Sequence, residues 1–265
     1  MALCRGFRRI AAAIHAQPQI SGGTCTNSTL SGVYYYLLSG DLISGNSIYP
    51  YIELGKLTAD GQGNVSGGSH ASIGGSNSSY TLNGTYAVQS SCTGSTTLSI
   101  NSQASEALTF QLVNGGQGAI VAYSGSTGVI GGRAYRQTAG AAPLQCSTAS
   151  LSGSYAYLLT GVAFLSGNAY YYSQDGSATG DGQGNMSATG MANVGGNTVS
   201  STGQGHYLIA SDCSGTASVT NQNGTANYYI AVAEDGQVVL FMKSDSGYTV
   251  GGSPTPSLSR PRALS

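Results

Sequence analysis

The residues with the most suggestive chemistry occur twice. Asp60-Gly61-Gln62-Gly63-Asn64 returns letter for letter as Asp181-Gly182-Gln183-Gly184-Asn185, 121 positions later. Carboxylate and amide oxygens on a glycine-rich loop could hold a calcium ion. The pentapeptide lacks the further carboxylates of an EF-hand loop and the nonapeptide period of a calcium β-roll. Turn chemistry accounts for it instead. Asp-Gly supplies the positive φ that a tight hairpin needs, and the second glycine allows a bulge. Asp60, Gly61, Gly63, Asn64, Asp181, Gly182, Gly184 and Asn185 are therefore read as turn residues, with no metal ligand among them.

Other candidate chemistry is sparse. His15, His70 and His206 do not recur at equivalent positions of the two copies and lack metal-ligand spacing. No G-x-S-x-G elbow and no P-loop or dinucleotide fingerprint occurs. Glu53 could act as a base inside a barrel, but its counterpart in the second copy is Gln174, which points to a surface position. The runs Tyr34 to Tyr36 and Tyr170 to Tyr172 suit core and interface, or the lining of a ligand cavity. No catalytic residue and no cofactor is assigned, and an enzyme is not expected. Six N-x-S/T triplets, at Asn27, Asn64, Asn77, Asn83, Asn185 and Asn223, are possible glycosylation sites.

The cysteines follow the same duplication. Cys25 and Cys92 are separated as Cys146 and Cys213 are, which predicts one disulfide per repeat and an oxidising, extracytoplasmic compartment. Cys4 is left over. Residues 1–16 combine a basic patch, a short apolar run and small residues, in the manner of an export signal. No run approaches the roughly 20 apolar residues of a membrane-spanning helix.

The elements that must carry these residues are strands. Glycine makes up 41 of 265 residues, and charged residues are only 7%. Eighteen tyrosines and regular apolar alternation argue against disorder. Leu30-Ser-Gly-Val-Tyr-Tyr-Tyr-Leu-Leu-Ser-Gly40 is answered by Leu151-Ser-Gly-Ser-Tyr-Ala-Tyr-Leu-Leu-Thr-Gly161. Period-2 facing puts Tyr34, Tyr36 and Leu38 on one side, matched by Tyr155, Tyr157 and Leu159. That side is the better interior, because Val33 and Tyr35 opposite become Ser154 and Ala156. A variable loop over 41–50, answered by 162–171, precedes the strand through Tyr51 and Leu57. The fold class is all-β: two tandem antiparallel β-barrels, or closed sandwiches, of about seven or eight strands each. The predicted boundaries are an N-terminal extension 1–24, repeat one 25–138, linker 139–145, repeat two 146–253 and a proline-rich tail 254–265.

The order L-x-G-x-Y (Leu30 to Tyr34), D-G-x-G-N (Asp60 to Asn64), G-T-Y (Gly84 to Tyr86) and C-x-G (Cys92 to Gly94) resembles a class of secreted bacterial domains of unknown function. The second copy supplies Leu151 to Tyr155, Asp181 to Asn185 and Cys213 to Gly215, and departs at Gly205-His206-Tyr207. Such domains are similar in outline to barrels of the allene-oxide-cyclase and lipocalin kind. The resemblance implies the fold and an extracellular setting, and brings no catalytic residue.

The body of the chain holds all ten acidic residues against Lys56, Arg133, Arg136 and Lys243, which excludes a nucleic-acid-binding face. So few charges leave association with other chains poorly opposed. Pro254 and Pro256 predict a short last strand in repeat two and an open edge. Residues 17–24 of a neighbour could add to it. These features point to a non-enzymatic extracellular structural protein that self-assembles into a fibre or matrix, with glycans as possible partners. The alternative is a secreted barrel that binds a small molecule or sugar, or acts like a cyclase. The barrel interior discriminates the two: side chains packed to native density argue against a ligand.

Overall fold

The computed structural model describes residues 23–137, 145–253 and 255–256. His15, Cys4, the linker up to residue 144 and most of both tails lie outside them. Sixteen strands form two closed eight-stranded antiparallel barrels in which each strand pairs with its neighbours in sequence. Barrel 1 comprises β1 (Ser31–Ser44), β2 (Ser47–Asp60), β3 (Asn64–Ile73), β4 (Ser76–Val88), β5 (Thr93–Ile100), β6 (Ala104–Val113), β7 (Gly118–Tyr123) and β8 (Gly128–Arg136). Barrel 2 repeats them as β9 (Ser152–Leu165), β10 (Asn168–Asp181), β11 (Asn185–Val194), β12 (Asn197–Ile209), β13 (Ser214–Asn221), β14 (Gly224–Ala233), β15 (Val238–Lys243) and β16 (Tyr248–Gly252). A two-residue strand, β17 (Thr255–Pro256), follows.

The expected loop over 41–50 is instead continuous strand. β1 and β2 pair from Ser31↔Asp60 to Ser44↔Ser47, leaving only Gly45 and Asn46 as the turn. β9 and β10 pair in the same way around Ser166 and Gly167. Pro50 is tolerated because its only ladder partner is Asp41 on β1.

The repeated pentapeptide is a turn in both copies. Asp60 Oδ1 accepts from the backbone N–H groups of Gln62, Gly63 and Asn64, and Oδ2 accepts from Asn64 Nδ2 at 2.6 Å. Asp181 bonds Gln183, Asn185 and the Asn185 amide likewise. Gly61 and Gly182 both sit at φ 77, which requires glycine. The Asn64 side chain, followed by the hydrogen-bonded backbone donors, lowers the Asp60 carboxyl to about 2. Its oxygens are spent on the turn.

Each barrel has one end that carries the repeated pentapeptide turn and an opposite end that carries the β1–β2 or β9–β10 hairpin tip. The pentapeptide end also carries the disulfide, Cys25–Cys92 or Cys146–Cys213, with Cα atoms 5.0 and 4.9 Å apart. A 3-10 turn also lies there, Asn27–Thr29 or Thr148–Ser150, and a tyrosine holds its following carbonyl. Tyr86 donates to Leu30 at 2.7 Å and Tyr207 to Leu151 at 2.5 Å. The interior is the side expected: Tyr34, Tyr36 and Leu38 are buried.

Tyr35 points outward yet is buried, because the barrels pack side by side. Tyr35, Ile52 and Leu54 share one buried cluster with Ala231, Leu240 and Met242 of barrel 2. A Cβ on Gly251 would stand 2.4 Å from Ile52 Cδ1 and 2.6 Å from the Phe241 carbonyl oxygen, and the fixed backbone contact needs a glycine there. Lys56 pairs with Asp212 at 2.9 Å, and Tyr35 OH donates to the Asp212 carbonyl. Toward the hairpin-tip ends Gly75 N–H donates to Thr249 Oγ1 at 2.9 Å, and His70 stacks on Tyr229 at 3.7 Å. The equivalents of Tyr35, Ile52 and Leu54 are Ala156, Ser173 and Asp175, all exposed. Here lies the reason the two copies diverge on their outer faces.

The last strand of barrel 2 is short, as expected. β16 covers five residues where β8 covers nine. Its edge is occupied, however: β16 pairs with β9 from Leu159 to Ala163, and β17 pairs with Tyr155 and Ala156.

Candidate functional site

The two interiors start from one plan. On the first two strands of each barrel the same three positions form a hydrogen-bonded group. In barrel 1, Tyr36 donates to Glu53 Oε1 at 2.7 Å and Tyr51 donates to Glu53 Oε2. In barrel 2, Tyr172 donates to Gln174 Oε1 at 2.6 Å, and Gln174 Nε2 donates to Tyr157 at 3.0 Å. Glu53 is therefore buried, at 4% exposure, and is not the surface residue inferred from Gln174. Its position matches the inward parity of Tyr51, Leu57 and Ala59 along β2. Glu106 on β6 also enters the interior of barrel 1. Burial, and next the charge of Glu53, push its carboxyl up to about 7.

Beyond this shared plan the interiors part. Barrel 1 is filled and retains a gap of about 70 Å³ lined by Leu30, Leu57, Val65, Phe110 and similar groups. Barrel 2 encloses a cavity of about 460 Å³. The difference comes from exchanges at equivalent inward positions. Tyr80 and Leu82 of β4 become Ser201 and Gly203 of β12, Glu106 becomes Ala226, and Leu57 becomes Ala178. The ladder supports the equivalence, since Leu82↔Ile100 is matched by Gly203↔Asn221. Two exchanges run the other way: Leu108 becomes Tyr228 and Val121 becomes Phe241, giving the cavity aromatic walls.

The cavity extends to the turns at Gln222–Asn223 and 244–247, away from the disulfide. Its lining mixes apolar side chains with polar ones, among them Gln174, Ser201, Asn221, Lys243 and Asp245. Lys243, the last residue of β15, replaces Tyr123 and is only 8% exposed. Its Nζ lies 3.5 Å from Asp245 and 3.3 Å from the centroid of the Tyr248 ring. Asp245 accepts from Asn227 N–H at 3.0 Å and from Asn227 Nδ2 at 2.8 Å. Burial lowers the Lys243 ammonium, opposed by Asp245. Burial also pushes up the phenols of Tyr157, Tyr172 and Tyr228, Tyr172 to about 12, so all three stay neutral hydroxyls at physiological pH. A neutral wall with one compensated charge pair and convergent hydroxyls suits recognition of an apolar-bodied molecule with a few acceptors.

The other residues singled out in the sequence do not converge on this cavity. His70 is on the outer face of barrel 1, bonded to Ser79 Oγ at 2.9 Å and stacked on Tyr229. His206 is exposed on β12. Of the tyrosine runs, Tyr34 and Tyr36 are interior, Tyr35 is at the interface, Tyr172 lines the cavity and Tyr171 is exposed. Of the N-x-S/T asparagines, Asn64, Asn83, Asn185 and Asn223 are exposed, while Asn27 is half-buried. Asn77 sits between the barrels and donates to Ser244 O at 2.9 Å, so a glycan there would displace barrel 2.

No family model and no curated protein matches the chain. The solved structures that match include a protein of unknown function of the DUF3598 family from Nostoc punctiforme. It is 9% identical, with a TM-score of 0.24 over 86% of this chain and 97% of that one. At that score the likeness carries no argument about function.

Proposed function

We propose that the protein is a binding module whose second barrel receives a small, apolar-bodied molecule, while the first barrel is its filled structural partner. One observation carries this reading: the same fold encloses about 70 Å³ in one copy and about 460 Å³ in the other. Filling a small barrel with its own side chains is the ordinary way to stabilise it. A barrel that could be filled by its sister's residues, yet is not, keeps its space for an occupant. The two disulfides fit an oxidising compartment, and we place the protein outside the cytoplasm. Native mass spectrometry of protein purified from its source would reveal the occupant. The variant Ser201→Tyr, which restores the residue of barrel 1, should lose it while staying folded. Retention by that variant of wild-type ligand would locate binding elsewhere.

Self-association into a fibre or surface layer is a second reading. It is favoured by exposed apolar residues near the β1–β2 and β9–β10 hairpin tips: Ile48 is 67% exposed and Tyr171 86%. Strand addition at the end of barrel 2 would have to displace β17, so these tips are the better contact. Sedimentation velocity over a hundredfold concentration range tests this reading; a constant monomer would end it.

A further inference from the structure

We propose that Lys243, inside the barrel 2 cavity, is a reactive amine that captures an aldehyde or ketone as a protonated imine. The inference rests on the reading of the cavity as a binding site. The chain has two lysines. Lys56 is spent on the ion pair that joins the barrels. Lys243 has no such structural duty, since its position in barrel 1 is filled by Tyr123. Burying an ammonium is costly unless it is paired and hydrogen-bonded. Its pairing here is loose: a carboxylate at 3.5 Å and a ring face at 3.3 Å. Lys243 lines the cavity together with Asp245 and Tyr248, which places a bound carbonyl compound beside it.

The charge balance argues for a neutral carbonyl over an anion. Asp245 already compensates the lysine, and a carboxylate ligand would bring a second negative charge beside it. Desolvation of the ammonium raises the share of free amine, the nucleophilic form. The steps balance without any further reagent. Lys243 passes one proton to the Asp245 carboxylate, and its nitrogen attacks the carbonyl carbon as the C–O π bond opens. A proton moves from nitrogen to that oxygen to give a neutral carbinolamine. Asp245 returns its proton to the hydroxyl, which leaves as water while the C=N bond forms. The product iminium keeps the positive charge beside Asp245, whose orientation Asn227 fixes.

The test uses the whole protein at pH 7, with 3-phenylpropanal as probe and sodium cyanoborohydride to fix any imine, followed by peptide mapping. Lys56 and the N-terminal amine serve as internal controls. The expected result is an adduct on Lys243 forming about tenfold faster than on Lys56. That preference should disappear in Ser201→Tyr and fall in Asp245→Asn. The unreactive alcohol 3-phenylpropan-1-ol is run beside it, its binding read by thermal shift and by protection of Lys243. Labelling of Lys243 no faster than Lys56 overturns the proposal. If the alcohol still binds in that case, the cavity reading stands and only the imine fails; if it does not, the cavity reading loses support too.

Discussion

Replacing Glu106 by glutamine should make the protein more stable at alkaline pH and leave it nearly unchanged at pH 4. In the folded protein the carboxyl is pushed up to about 7 by burial and by Glu53. The unfolded chain releases the same proton near 4.5. Between those values the folded state binds more protons, so its stability falls as pH rises. One pK unit is worth about 1.4 kcal/mol, which sets a ceiling of about 3 kcal/mol. Glu106 is partly exposed, and solvent screening reduces the expected loss between pH 4 and pH 8 to about 1–2 kcal/mol. His70 acts in the opposite sense: burial holds its ring below the usual histidine range, so its contribution rises with pH. Comparing wild type with Glu106→Gln cancels it. Urea unfolding followed by far-UV circular dichroism at pH 4, 6 and 8 gives the difference directly. Parallel stability curves for the two proteins would refute a strained carboxyl in barrel 1. A variant weaker at every pH would show that the amide packs worse than the carboxyl in barrel 1.

Other outcomes are equally specific. Replacing Cys146 and Cys213 together by serine opens a loop of 67 residues and should lower stability by about 4 kcal/mol in the chain-entropy model, read as a fall in the urea midpoint. Leu54→Asp installs the barrel 2 residue at the interface; burying that unpaired charge should uncouple the barrels, turning one calorimetric transition into two. Asp60→Ala removes the acceptor of four turn hydrogen bonds. It should lower the melting temperature, and added calcium should not restore it.

The strands, the disulfides and the turns were legible because each is a local pattern written twice. Tyr34, Tyr36 and Leu38 declared their side because their copies are identical. Glu53 is interior although its Gln174 counterpart reads as a surface residue. Strand parity puts it beside Tyr51, and both copies surround the position with tyrosines. The cavity was also written in the chain, in Tyr80 against Ser201 and Leu82 against Gly203. Agreement between the copies marks strands and turns, whereas a void lies where they differ. The interface was signalled by Ile52 against Ser173 and Leu54 against Asp175. Naming what covers an apolar outer face takes tertiary contact, which no single strand encodes. The hairpins over 41–50 and 162–171 were hidden by Gly, Asn and Pro, which read as loop while the ladder carries them.

The interface described above sets how the duplicated gene can be divided. A first barrel expressed alone would expose Tyr35, Ile52 and Leu54 together on one sheet face, an adhesive patch in a protein with almost no charge to oppose clumping. A second barrel alone would uncover Leu240 and Met242 in the same way. Duplication supplied two equal units, and later divergence made each the other's solubilising cover. The pair is therefore the smallest piece that should be cloned, crystallised or grafted. A third repeat added after barrel 2 would meet Ala156, Ser173 and Asp175 and find nothing to hold.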